Sequence, residues 1–320
     1  NDDVATAEAF GNILYTDAID KKMFTGEYCY YEDSTGYIMA TDSALVIDYS
    51  QADTMFAHAD TFKIFTYNID TDSVYRIMHG YHHMRVFHND VQAVCDSMVY
   101  DSRDSLLIMY QDPILWQAGQ QQLGEEIRMF FGNGNIDSVQ VLRQALSVER
   151  IDSIHYNQVS GHEMHSYFRE GELYLTTSVG NVFVNYFPFD EDSVMIEMNH
   201  TETSLLKMFL RDKKVERIWM PAATGTMYPI VLIPENIRYL QNFAWFDYIR
   251  PRDKYDLFEW RPKKSGTELK ESVRHSAPRQ KLSDIKKQRG IVSPLQEPSP
   301  KKVEEVSDSL ELKEDLKLND

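Results

Sequence analysis

Four histidines, His79, His82, His83 and His88, fall within ten residues, and metal coordination is the first chemistry to weigh against them. A metal site needs ligands that converge from one face and are held by a surrounding shell of hydrogen bonds. The stretch reads as a strand, in which His82 and His83 point to opposite faces and do not chelate together. A polar, partly exposed strand accounts for them, and for His162 and His165. Asp70-Thr71-Asp72-Ser73 and Asp101-Ser102-Arg103-Asp104-Ser105 resemble fragments of calcium loops. Both lack the glycine and distal glutamate of an EF-hand, so turns between strands explain them more simply. The sequence contains no G-x-S-x-G elbow, no phosphate-binding glycine loop and no H-E-x-x-H pair. A glycosidase needs two carboxylates, but an acidic chain offers too many pairs to single one out. The expectation is therefore no catalytic residue, no metal and no cofactor.

Composition narrows the field further. The chain has 320 residues, 42% hydrophobic and 12% aromatic, and a formal net charge of -17. That is enough apolar material for a large core, and a surface that acidic repels a nucleic-acid backbone. No uninterrupted apolar run is long enough for a transmembrane helix. The two cysteines, Cys29 and Cys95, exclude a disulfide framework or a multi-cysteine metal site. One disulfide, or two separate cysteines in β-sheet, are both compatible with the sequence.

Aromatic and β-branched residues dominate up to Trp260, and Lys, Glu, Ser and Pro take over beyond Pro262. The first part shows period-two alternation, as in Ile127-Arg128-Met129-Phe130-Phe131, with turn signals such as Arg169-Glu170-Gly171. Two repeats stand out. Ile38-x-Ala40 with Leu45-Val46-Ile47-Asp48 matches Val91-x-Ala93 with Met98-Val99-Tyr100-Asp101. A hairpin at Ile127–Ile136 recurs at Met164–Leu173 and Leu206–Val215. Such units bury their apolar face only by stacking on neighbours. The sequence predicts stacked antiparallel strands over residues 1–233. A short helical cap over 234–260 begins after Pro234, with Ile237, Leu240 and Ala244 at helical spacing. A charged tail over 261–320 is too polar to order itself.

The inward, apolar face is read as Ile38, Ala40, Val46, Val91, Ala93, Cys95, Val99, Ile127, Met129, Phe131, Met164, Phe168, Met208 and Leu210. Such a face is either an ordinary packed core or a trough for acyl chains, in which flexible methionines adapt to varied tails.

Asp112-Pro113-Ile114-Leu115-Trp116, followed by Gln120-Gln121-Gln122-Leu123-Gly124-Glu125-Glu126-Ile127, resembles the OstA/LptA-like family of periplasmic lipopolysaccharide-transport proteins. Ala40-Thr41-Asp42-Ser43-Ala44, Ala93-Val94-Cys95-Asp96-Ser97 and Ser160 through Tyr174 are similar as well. The likeness covers roughly residues 1–250 and is nearest in look to the longer OstA-like proteins of Bacteroidetes. It implies an all-β fold, an open β-jellyroll with an apolar groove for the acyl chains of lipid A. It implies a non-enzymatic periplasmic protein, with an association with the outer membrane left open. Its partners would be lipopolysaccharide, other transport proteins of the two membranes, and further copies joined head-to-tail. Two rival readings of the residues stand beside it: a β-scaffold with a filled core that binds only proteins, and a carbohydrate-active β-solenoid enzyme.

Overall fold

The computed structural model describes residues 5–269 apart from 19–20, 51–52, 118, 133, 191, 213 and 268. The expected tail lies outside the described residues from 270 onward. Among the described residues eighteen strands join into one sheet. They are β1 (Thr6–Asp17), β2 (Lys22–Glu32), β3 (Tyr37–Thr41), β4 (Leu45–Asp48), β5 (Met55–His58), β6 (Thr61–Tyr67), β7 (Tyr75–Phe87), β8 (Val91–Asp101) and β9 (Leu106–Tyr110). There follow β10 (Ile114–Gln117), β11 (Gln120–Leu123), β12 (Glu126–Gly132), β13 (Asn135–Arg150), β14 (Tyr156–Arg169), β15 (Glu172–Tyr186), β16 (Glu197–Arg211), β17 (Lys214–Trp219) and β18 (Thr224–Pro229).

The pairing resolves into a meander of bent strands. β8 pairs β10 through Val91–Val94 and β9 through Ser97–Asp101. β13 likewise pairs β11 with one half and β12 with the other. Each long strand therefore crosses a corner between two layers. In β3/β4, β5/β6, β9/β10, β11/β12 and β17/β18 the ladder breaks at that corner, so the eighteen segments make thirteen antiparallel passes. The front layer holds β3, β6, β9, β12 and β17, and the back layer β4, β5, β10, β11 and β18. The result is an open β-jellyroll, all-β and antiparallel.

The corner has a backbone signature. Left-handed pairs occur at Asp42/Ser43, His82/His83, Gln111/Asp112, Arg143/Gln144 and Gly180/Asn181. They fall in alternate passes. Those passes keep their inward parity across the bend: Ala40 to Val46, Met84 from Met78, Met109 to Leu115, Val141 to Ala145. The intervening passes turn without such a pair and reverse it: Ala59 to Phe62, Cys95 to Met98, Val159 to Met164. Neighbouring antiparallel strands meet the corner from opposite directions, so the extra residues of a bulge lie in one of the two and increase its bend.

The three repeated hairpins share a second device. In β12/β13, β14/β15 and β16/β17 the register slips by one residue beside the turn, at Phe130/Phe131, Tyr167/Phe168 and Phe209/Leu210. This is why the hairpin recurs in the sequence.

Gly124 links β11 to β12 at a corner. A Cβ there would lie 2.6 Å from Val141 Cγ1 and 3.2 Å from the carbonyl oxygens of Leu142 and Arg143. Val141 is buried and β-branched, so it has little freedom to move. Gly124→Ala is expected to cost about 1–3 kcal/mol, seen as a lower urea midpoint. An unchanged midpoint would mean that the corner relaxes freely.

The predicted helical cap is shorter than expected. The α-helix spans only Glu235–Arg238, and single 3-10 turns follow at Asp247–Ile249 and Asp256–Phe258. Leu240 and Ala244 lie beyond the helix. Residues 233–264 instead form an irregular strap over the outer face of the back layer. Leu240, Phe246 and Ile249 pack on Val94, Ile114, Trp116, Leu123, Leu146 and Val148. The strap crosses the strands and cannot join their ladder. Side-chain amides, which both donate and accept, bind it instead. Asn185 donates to the carbonyls of Ile237 and Arg238, and Gln158 donates to Arg238 O and accepts from Leu240 N–H. Gln121 donates to Ala244 O and accepts from Phe246 N–H. Arg250 closes on Gln92, and Lys263 pairs with Asp112 at 2.5 Å, so the chain is still anchored at residue 263.

Candidate functional site

Between the layers lies one apolar interior. The front layer contributes Ala40, Phe62, Met98, Leu107, Met109, Ile127, Met129, Val139, Val141, Met164 and Phe168. The back layer contributes Ala44, Val46, Ala57, Ala59, Met84, Val86, Ala93, Cys95, Leu115 and Ala145. Alanines on the back layer thus face mainly bulky residues, many of them methionines, on the front one. Met84, Met109, Leu115, Ile127 and Val139, in the middle passes, are at most 1% exposed, so the interior is closed there.

Most of the residues expected to line this interior meet there. Ala40, Val46, Ala93, Cys95, Ile127, Met129, Met164 and Phe168 belong to the buried cluster, and Val91 and Phe131 pack against it. Ile38 shares the face of Ala40 and pairs with Ile64, but stays partly buried outside the cluster. Val99 is a correction. It lies between Met98 and Tyr100, which face the interior, and therefore turns outward, opposite His79 and Ile108. The cause is the reversal of parity between Cys95 and Met98.

Met208 and Leu210 mark the C-terminal rim. Met208 stands between Thr176 and Ile218, and Leu210 opposite Val215, on the inward side of the third hairpin. Met208 and Leu210 are only partly buried, and Val215 and Ile218 are exposed by 46% and 43%. The centre is thus closed and this rim open, with the buried hydroxyls of Ser166, Thr176 and Ser178 on the inward face between them.

Both ends of the sheet are free. Among the described residues β1 pairs only with β2, and β17 and β18 only with β16. These edges carry exposed apolar side chains: Phe10, Leu14 and Tyr15 on β1, Val215, Ile218 and Trp219 on β17, and Met227 on β18. An unpaired edge is a template for another strand.

No known protein family and no curated protein matches the sequence. Among solved structures the chain is similar to LptH, the LptA homologous periplasmic component of the lipopolysaccharide transport device of Pseudomonas aeruginosa. The two share 13% identity, over 43% of this chain and 93% of LptH, with a TM-score of 0.31.

The residues with chemical potential are engaged elsewhere. His82 and His83 form the left-handed pair at the β7 corner and contact Asp96 and Asp60 at 3.2 and 2.8 Å. His58 holds the carbonyl of Ala44 through Nδ1 at 2.8 Å, and burial keeps its pKa below the ordinary value despite that bond. Glu126 pairs with Arg128 at 2.6 Å and with Arg143 at 3.3 Å. Burial, followed by the charge of Glu126, pushes the Tyr110 hydroxyl up to about 12. Cys29 and Cys95 are both free thiols, Cys95 buried and its pKa raised by that burial. The described residues contain no group of three or more His, Cys, Asp or Glu able to hold a metal, and no helix long and apolar enough to cross a membrane.

Sequence reading misses most of the interior, including Phe62, Met84, Met109 and Leu115. Their alternation is visible, as in Met84-Arg85-Val86, but apolar neighbours on the opposite face obscure it.

Proposed function

We propose that the chain is a non-enzymatic periplasmic carrier module for lipopolysaccharide or a like glycolipid. In this reading the interior shields lipid A acyl chains, and the free edges pair head-to-tail with like jellyrolls to bridge the inner and outer membranes. The observation that carries it is the open apolar rim at Met208, Leu210, Val215 and Ile218, directly beside an unpaired sheet edge. A partner stacked on that edge would continue both the ladder and the lining. Each acyl methylene removed from water contributes about 0.8 kcal/mol. Methionines facing alanines can repack around an entering chain. The sequence resemblance to OstA-like proteins, including the longer Bacteroidetes members, supports the choice of glycolipid.

The sealed middle favours a second reading, a scaffold whose filled core binds only proteins. The two differ in uptake of a fluorescent fatty acid: the carrier takes it up in a way that unlabelled lipopolysaccharide displaces, and the filled scaffold does not.

The edges are tested separately. Phe10 and Leu14 are 73% and 62% exposed, so lysines there leave the fold intact, and charge on an edge opposes strand addition. The unmodified chain is expected to self-associate with rising concentration in sedimentation velocity, and Phe10→Lys with Leu14→Lys to abolish that association. Association unchanged by the pair of lysines would remove β1 from the interface.

A further inference from the structure

A cleft of about 390 Å³ lies on the outer face of the back layer, between the β7–β8 hairpin and the strap. Phe87, Asn89, Gln92, Asp247, Arg250 and Arg252 line it. Nothing in the carrier reading uses it.

Its electrostatics are unusual for so acidic a chain. Arg250 donates through Nε and Nη2 to a single oxygen, Gln92 Oε1, at 2.8 and 2.5 Å. Gln92 is 3% exposed and fixed by donating its own amide to the carbonyls of His88 and Asn89. A neutral amide oxygen orients the guanidinium without cancelling its charge. The carboxylate facing it, Asp247, is 3.9 Å from Nη1 and half exposed. Arg252 is exposed and its backbone N–H binds Asp256. Among the described residues its guanidinium meets no carboxylate. Asp256 is already held by Arg85 and Arg261. Arg85 lies two residues before Phe87 on the same face of β7, and its Nε is buried without a hydrogen-bond partner. Four arginines thus gather beside four carboxylates, Asp247, Asp253, Asp256 and Glu259, of which only Asp256 is mostly buried against a guanidinium.

We infer that this cleft binds a phosphate monoester, held by Arg250 and Arg252, with its attached sugar or headgroup against Phe87 and Pro251. The Arg252 fork matches phosphate oxygens in geometry and charge, and Arg250, whose Nε and Nη2 are spent on Gln92, adds its positive charge and its remaining Nη1 protons. A group of charge near -2 suits two arginines that lack full compensation. The site is on the far side of the sheet from the apolar interior, so it stands or falls independently of the carrier reading.

Glucose 1-phosphate, titrated calorimetrically into the full chain at low salt, tests the site in solution. Saturable one-to-one binding is expected. Arg252→Gln should weaken it tenfold or more, and Asp247→Asn should tighten it severalfold by removing the opposing charge. Both side chains are exposed, so neither change threatens the fold, whereas Arg250 anchors the strap and is left in place. Arg217→Gln, on β17, should change nothing. Co-sedimentation with phosphatidylcholine vesicles containing phosphatidic acid distinguishes the source. Vesicle binding lost in Arg252→Gln supports a lipid headgroup, and sugar-phosphate binding without vesicle binding supports a free phosphorylated sugar. Absence of both, or binding that Arg252→Gln and Asp247→Asn leave unchanged, overturns the proposal.

Discussion

Replacing Gln121 by leucine is expected to free the strap at its centre and lower stability by about 2–4 kcal/mol. Gln121 is fully buried and spends both ends of its amide on the strap, donating to Ala244 O at 2.8 Å and accepting from Phe246 N–H at 2.7 Å. Leucine keeps the volume but leaves both backbone groups without a partner. Each orphaned buried group costs about 1–3 kcal/mol, less whatever water recovers when the strap lifts. The melting temperature should fall by roughly 4–10 °C for a domain of this size. Hydrogen exchange should accelerate at Phe246, and less at Leu240, which Gln158 still holds. A shift below about 1 °C would show that apolar packing alone secures the strap.

The second large effect separates the closed centre from the open rim. Met129→Asp places a carboxylate at a residue only 5% exposed, between Val139 and Leu107 on the two neighbouring strands. With no partner for the charge, the cost is about 4–5 kcal/mol or more, and the chain should fail to fold. Met208→Asp changes the same residue type at the rim, where water reaches the side chain. There the fold should survive at a cost of about 1 kcal/mol. Uptake of a fluorescent fatty acid should fall tenfold or more, because the charge sits at the mouth of the lining. Circular dichroism separates folding from binding in both variants. A folded Met129→Asp that still takes up the probe would mean that the inward face has been misassigned.

Local alternation makes the strands and much of the inward face legible in the sequence. Ile127, Met129 and Phe131 keep a strict period of two within one layer, and the turn bulges repeat with the hairpins. The corner is where that legibility ends. Aligning Ala40–Val46 with Ala93–Val99 compares two passes that cross the corner in opposite directions. The first preserves parity through Asp42/Ser43, the second reverses it, and Val99 therefore faces outward. The strap is hidden for another reason. Gln92, Gln121 and Gln158 occupy outward positions of strands, where an amide looks solvated. Their partners lie 158, 123 and 80 residues away in a segment with no periodicity. The cleft beside Arg250 depends on that same long-range crossing and has no local motif.

The carrier reading is tested most directly by what the protein holds when purified from the envelope of a Gram-negative host. The full chain and Met208→Asp would be extracted with organic solvent, and the extracts analysed for lipid A by mass spectrometry. The account predicts near-stoichiometric lipid A with the unmodified chain and a loss of most of it in Met208→Asp, with the same circular dichroism. A folded, lipid-free protein that also fails to take up added lipopolysaccharide would contradict it and leave the filled scaffold as the better description.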